Sequence, residues 1–296
     1  MTPTIAVFTK NRANPAYAAA RLGADRSAKQ LGARTVHYVP TKPDDVDEQI
    51  GLIDAALAQR PDAVVLVPVH PTAINGAIRK IIAAGVPLIG YLNRYTEPGP
   101  IAYVGSDDYP LALRIAIFLC EHLERRGELV IVEGPAESVT SIERVRGFRD
   151  GLARFPMVRV ATSICGDYQR NTAKREGAQL LKSGLPFVGV LAANDVMALG
   201  VIDALDEAGQ KSAVVGVNAI PEAITAIKEG KLLATIDFDA MNMAALATEA
   251  AIRHLRGETL PREIKLPVQI VSGKNYVQWD KPFEERPLVS WASVVK

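Results

Sequence analysis

The sequence predicts an α/β protein of two lobes, each built on a doubly wound parallel sheet. Three observations carry that prediction. The chain has 296 residues, about twice the ~150 residues of an average domain. Its short β-rich runs, such as Ala63-Val64-Val65-Leu66-Val67, are apolar without alternation, as strands covered on both faces are. These runs alternate with segments of helical spacing, through about five cycles and then about five more. Strand–helix–strand repetition of this kind builds right-handed crossovers and a parallel sheet.

The first half supplies strands Thr4–Thr9, Thr35–Val39, Ala63–Val67, Pro87–Gly90 and Ala102–Gly105. Between them, Ala16–Leu31 keeps Ala20, Ala24, Ala28 and Leu31 on one face. Asp47–Ala58 groups Ile50, Ile53 and Leu57, and Ala73–Ala84 groups Ile74, Ile78, Ile81 and Ile82. Apolar recurrence at three and four residues is the helix signature. The second half supplies strands Leu129–Glu133, Val158–Ile164, Val188–Leu191, Ala213–Val217 and Ala234–Ile236. A long helix, Ala240–Leu255, and a last apolar strand, Leu266–Val271, follow and are expected to return to the first lobe. The first break falls near Gly105-Ser106-Asp107-Asp108. The expected division is 1–105 with 238–270 in an N-terminal lobe, and 106–237 with 271–296 in a C-terminal lobe. The tail Lys281–Lys296 is irregular, and Trp279 and Trp291 are expected to pack against a lobe, because large aromatics are usually buried.

Composition narrows the function. Lys+Arg is 34 and Asp+Glu 33, a net charge of +1, without the basic stripe of a nucleic-acid binder. No run approaches the ~20 apolar residues that span a bilayer. Two cysteines, Cys120 and Cys165, are too few for a disulfide framework or a four-thiolate zinc site. The four histidines, His37, His70, His122 and His254, are scattered, so a clustered metal site is not expected. No Gly-rich dinucleotide fingerprint, Walker loop or Gly-x-Ser-x-Gly elbow is present. The sequence therefore predicts no cofactor and no catalytic residue. The first residues enter a strand directly, so the expectation is an N-terminus with neither export signal nor DNA-binding module.

In open α/β sheets, ligands bind beyond the carboxyl ends of the strands. The residues there are Asn14 and Tyr17 after the first strand and Asn93-Arg94 after the fourth. In the second half they are Arg144, Tyr168, Asn194, Asn218, Asp237 and Phe238. Asn offers donor and acceptor on one planar group, and Arg offers five fixed donors. Aromatic rings cover the apolar face of a sugar. Each residue also has a plainer reading. Asn194 and Asn14 fit helix caps, the latter with Pro15 following. Arg144 fits a solvated helix charge, and Tyr17 and Tyr168 fit ordinary half-buried aromatics.

The sequence resembles the periplasmic sugar-binding proteins of ABC transporters, the ribose-binding-protein group. The resemblance runs from about Ile5 to Val271 and is carried by Ala193-Asn194-Asp195-Val196-Met197-Ala198-Leu199-Gly200 and Val214-Val215-Gly216-Val217-Asn218. Asn14-Pro15-x-Tyr17, Glu143-Arg144-x-x-Gly147-Phe148 and Gly230-Lys231-Leu232-Leu233-Ala234-Thr235-Ile236 support it. It implies two Rossmann-like lobes joined by a three-segment hinge near Ser106, Asp237 and Gly273. One small monosaccharide or polyol would bind between them by hinge closure. It further implies a periplasmic location, a monomer and a membrane permease as partner, with no nucleic acid. By motif, Asn14, Tyr17, Asn93 and Arg94 would serve from the first lobe, with Arg144, Tyr168, Asn194 and Asn218 from the second and Phe238 beside Asp237 at the hinge. The family commonly has Asp at the positions of Asn93 and Asn218, and an amide at that of Phe238. With Lys10, Arg94, Arg144 and Arg170 expected nearby, these departures predict a less negative cleft and a ligand other than plain ribose: another monosaccharide, a polyol or a weakly anionic sugar derivative. The same architecture serves as the effector domain of lac-repressor-type regulators, and a sugar enzyme is the third alternative.

Overall fold

The computed structural model describes residues 2–12, 14–97 and 99–295. The chain divides into two compact units. The first comprises Met1–Ser106, Asp239–Pro267 and Phe283–Lys296, and the second Asp107–Phe238 and Val268–Pro282.

The first unit holds strands β1 (Thr4–Phe8), β2 (Arg34–Tyr38), β3 (Ala63–Leu66), β4 (Leu88–Tyr91) and β5 (Ala102–Gly105). Helices α1 (Pro15–Gln30), α2 (Val46–Ala58) and α3 (Asn75–Ala83) connect the first four. The second unit holds α4 (Asp108–His122), β6 (Arg126–Glu133), α5 (Val139–Leu152), β7 (Met157–Cys165), α6 (Arg170–Lys182) and β8 (Gly189–Ala192). It continues with α7 (Asp195–Glu207), β9 (Ala213–Val217), α8 (Pro221–Lys228) and β10 (Ala234–Asp237). Helix α9 (Ala240–Leu255) and β11 (Glu263–Lys265) return to the first unit, and β12 (Gln269–Ser272) belongs to the second. A short helix, α10 (Trp291–Val294), ends the chain.

Each unit has one six-stranded sheet, ordered β11-β5-β4-β3-β1-β2 and β12-β10-β9-β8-β6-β7. The first is parallel throughout. The second is parallel except where β12 runs antiparallel to β10. The two sheets therefore repeat one strand order, and each reverses direction beside its first strand, β1 or β6.

In the first unit, Ala6, Phe8, Val64, Leu66 and Leu88 form one apolar face with Ile53 of α2 and Ile78 and Ile81 of α3. The alternate residues Ile5, Val7, Val65 and Ile89 are equally buried and, by the period of two, point to the other face, where α9 packs on β3, β4 and β5. Helix α9 lies so close to α1 that a Cβ on Gly23 would sit 2.0 Å from the Met241 carbonyl oxygen.

Three sequence expectations need correction. The last apolar strand does not join the first sheet: β12 pairs with β10 in the second, Val271 opposite Thr235. The segment that completes the first sheet is β11, whose Ile264 is buried between two exposed charged neighbours. The tail from Phe283 on belongs to the first unit, so the chain passes between units four times rather than three. The tail is held there by Arg26, which donates to the carbonyl oxygens of Phe283 and Arg286. The Asn242 side chain accepts from the Val289 N–H, and Arg253 lies over the Trp291 ring at 4.8 Å. Trp279 is buried in the second unit.

The α1–α9 contact gives a paired test. Gly23→Ala places a methyl into the Met241 carbonyl and is expected to destabilise the protein by about 1–3 kcal/mol. Gly51→Ala, in mid-α2 where a new methyl meets nothing within 4 Å, is expected to stabilise it by about 0.5–1 kcal/mol. Urea unfolding of both variants measures the contrast.

Candidate functional site

Parallel strands buried on both faces leave the loops at their carboxyl ends as the place for polar groups. The reversal of strand order beside β1 and β6 opens a crevice there. Each unit has such a face.

In the first unit, β1 ends in Thr9-Lys10-Asn11, all buried. Lys10 donates to the Asn93 side-chain oxygen, past the end of β4, at 3.3 Å, and lies 3.5 Å from Asp44. Asn11 accepts the backbone N–H of Asn14. Asn14 caps α1 by accepting the Ala16 N–H at 3.0 Å, with Pro15 in the first turn. That is the capping role its sequence context allows, and it fixes where the chain enters the helix. Tyr17 is buried one turn further on. Arg94 turns toward the sheet edge: its guanidinium lies 4.2 Å from the Tyr103 ring centre and pairs with Glu263 of β11 at 3.0 Å. Arg94 is half exposed there.

In the second unit the face is organised by Arg144, a helix residue only 3% exposed. Its Nε donates to Asp108 of α4 at 2.8 Å, and one terminal nitrogen donates to the Ala193 carbonyl at 2.6 Å and to the Asn218 side-chain oxygen at 3.4 Å. The guanidinium carbon is 5.6 Å from the Phe238 ring centre. Thus Arg144, Asn218 and Phe238 come together, as motif placement predicts, and Arg144 is no solvated surface charge. Asn194 is buried and caps α7 by accepting the Met197 N–H at 2.8 Å. Tyr168 stands in a left-handed turn, φ 54°, half buried, its ring so close to Gly134 that a Cβ there would lie 2.4 Å away. Asp237 accepts from the Trp279 indole at 2.7 Å. Arg170 is bound by two hydrogen bonds to Asp203 of α7, which ties helix to helix.

Two carboxylates of this face were not identified by sequence reading. Asp108 sits 36 residues from the arginine it neutralises, a separation no local pattern reveals. Asp195 is fully buried. It accepts from the Thr235 hydroxyl at 2.6 Å and from the Ile220 N–H at 3.0 Å. Burial pushes its carboxyl up to about 6, opposed by those hydrogen bonds and by the charge of Arg144. A signal for it existed in the glycine of β9, since a Cβ on Gly216 would lie 2.2 Å from an Asp195 oxygen.

Among the described residues no group of three or more His, Cys, Asp or Glu is placed to hold a metal ion, and no helix is long and apolar enough to cross a membrane. Cys120 is fully buried, its thiol pushed up to about 11 by burial.

The family model for the periplasmic binding protein domain matches residues 5–259. The chain is 26% identical over 272 residues to the ribose import binding protein of Bacillus subtilis (strain 168), covering 92% of this chain and 88% of that protein. It is 28% identical over 193 residues to the xylitol-binding protein of Mycolicibacterium smegmatis, covering 64% of this chain and 55% of that one. Its fold matches the crystal structure of an ABC transporter periplasmic solute binding protein from Actinobacillus succinogenes 130z with bound D-allose. The TM-score is 0.89 at 27% identity, covering 93% of this chain and 99% of that one.

The position of Asp195 has a consequence for stability. Its folded carboxyl titrates near 6, against an ordinary value of 3.8. Between those limits the folded state binds the proton more tightly than the unfolded state, so this group's contribution falls as pH rises. It is fully present below about pH 4 and lost as pH passes through about 6, a swing on the order of 2–3 kcal/mol at ~1.4 kcal/mol per unit. Thermal midpoints of the wild type and Asp195→Asn between pH 4 and 7 are expected to show that slope in the wild type and its absence in the variant.

Proposed function

The chain belongs to the periplasmic binding protein domain family, and from that premise we propose that it is the solute-binding component of an ABC importer for a small neutral sugar or polyol. Each strand-end face offers such a ligand its own set of fixed donors and acceptors, and a ligand that binds one state of the protein better shifts the population toward that state. The observation that carries this reading is the pairing of a buried cation with a side-chain amide on each face: Lys10 with Asn93, and Arg144 with Asn218. Such pairs present donors and acceptors in fixed directions, as a set of hydroxyl groups requires.

Neutrality of the ligand rests on the carboxylates beside those cations. Asp44 lies by Lys10 and Asp108 by Arg144, so neither face has a surplus positive charge within the buried layer. Amides at 93 and 218 and an aromatic wall at Phe238 support a guest other than plain ribose. The ligand leaves unaltered. Asp195, the carboxyl raised toward neutrality on the second face, is fully buried and already bonded to Thr235 and Ile220, so it does not act as an acid or base on a guest. The family and the named import proteins among its relatives support a periplasmic site of action and a membrane permease as partner.

A thermal-shift screen over pentoses, hexoses, polyols and sugar acids tests this, since a ligand that prefers the folded state raises its melting temperature. Neutral sugars or polyols should raise it and sugar acids should not. The best ligand should be recovered chemically unchanged after incubation. Arg144→Ala should weaken calorimetric affinity for that ligand by about 2 kcal/mol or more, because a buried charged donor is lost. Unchanged affinity would remove Arg144 from the site.

A further inference from the structure

The turn after β9 is a strained piece of backbone on the second face. Asn218 has φ 122° and Ala219 φ 52°, two consecutive non-glycine residues in a region that L side chains avoid at a cost on the order of 1–3 kcal/mol each. Strain of this kind persists only where surrounding groups over-determine it. Here the constraint is Asp195. One carboxylate oxygen accepts the Ile220 N–H and the other accepts the Thr235 hydroxyl. The Thr235 oxygen in turn accepts the Ala219 N–H at 3.3 Å. Both N–H groups that follow Asn218 are thereby tied, directly or through Thr235, to one buried carboxylate. Gly216 lets that carboxylate lie against β9. The same residue opens α7 immediately after the Asn194 cap.

We propose that Asp195 is the positioning residue of this face: it holds the Asn218–Ala219 turn in its left-handed form and so sets the Asn218 amide against Arg144. The inference deepens the reading of the face as a sugar site and rests on it, but Asp195 itself touches no ligand. A buried carboxylate costs stability unless it is fully bonded, and this one lies in a fully buried place where burial works against its charge. Retention at that cost is what a positioning role explains. The groups facing Asp195 are Arg144 from α5, itself paired with Asp108 of α4, together with Gly216 of β9, Thr235 of β10 and the turn N–H groups. Protonation reverses the Thr235 bond, because a carboxylic O–H donates where the carboxylate accepted, and the hydroxyl proton of Thr235 then loses its acceptor. Replacement by Asn either turns its N–H₂ toward the Ile220 N–H, donor against donor, or makes it donate to the Thr235 oxygen, whose hydroxyl proton then loses its acceptor.

The decisive measurement needs no ligand. In nitrogen-resolved NMR of the full chain, the Asn218 side-chain amide and the Arg144 Nε–H signals should move together as pH falls through the midpoint reported by the Asp195 carboxyl carbon. In Asp195→Asn both signals should be displaced from their wild-type positions at pH 7.5 and should cease to titrate. Thr235→Val should displace them likewise, and Thr235→Ser should restore them. With D-allose and D-ribose titrated separately, whichever binds the wild type should bind Asp195→Asn and Thr235→Val about tenfold more weakly, equivalent to ~1.4 kcal/mol. If the Asn218 and Arg144 signals of a folded Asp195→Asn or Thr235→Val protein coincide with those of the wild type, the proposal is overturned. If neither sugar binds the wild type while the signals behave as described, positioning stands and only the identity of the sugar is wrong. If no neutral sugar or polyol binds at all, the functional reading fails by itself.

Discussion

Strands that run the same way and are covered on both sides leave little freedom in where polar chemistry can go. Their flanks are filled by helices, and the residues of the inner strands β1, β3, β4, β8 and β9 are almost all buried. Backbone and side-chain polarity is therefore expelled to the strand ends, and the reversal of order beside β1 and β6 marks where along the carboxyl edge a crevice opens. Everything proposed about this protein follows from that constraint, repeated once in each unit. The chain's own repetition of one strand order explains why two unrelated stretches of sequence deliver the same kind of residue at the same kind of place.

Within that frame the two faces solve the problem of a buried cation differently. Lys10 is a point charge on a flexible stem, and its neighbours sit at 3.3 and 3.5 Å. Arg144 is a planar fork whose donors reach a carboxylate, a carbonyl and an amide on three different elements. A guanidinium spends its directions more rigidly than an ammonium. The second face is accordingly the more fixed, and the first keeps more latitude in where its charge points.

Most of the architecture was legible because it is written in local periodicity. Helix α9 lies where its apolar spacing puts it, and the fully buried strands announce themselves as apolar runs. Legibility fails where the deciding partner is remote. Strand β11 has one apolar residue between two charges, so it carries no strand signal of its own and exists because β5 offers it a ladder. Strand β12 reads correctly as a strand, but its sheet is chosen by pairing with β10, which no periodicity encodes. The site divides along the same line. Arg144, Asn218 and Phe238 were reachable because each follows or faces a strand end in a recognisable motif. The direction of Arg94 was not, since Glu263 is 169 residues away. Asp195 is hard to read because, beside the Asn194 cap, it looks like an ordinary first-turn helix residue. Its actual work is done on a turn 25 residues further along.

The return of the tail has a practical corollary. Because Arg26 and Asn242 fasten the segment after Phe283 to the first unit, Thr2 and Val295 belong to one body. A donor and acceptor fluorophore attached at the two chain ends would both ride on it and report nothing of motion in the other. A reporter of ligand-driven rearrangement needs one label grafted inside 107–238, for example at the exposed residue Met157.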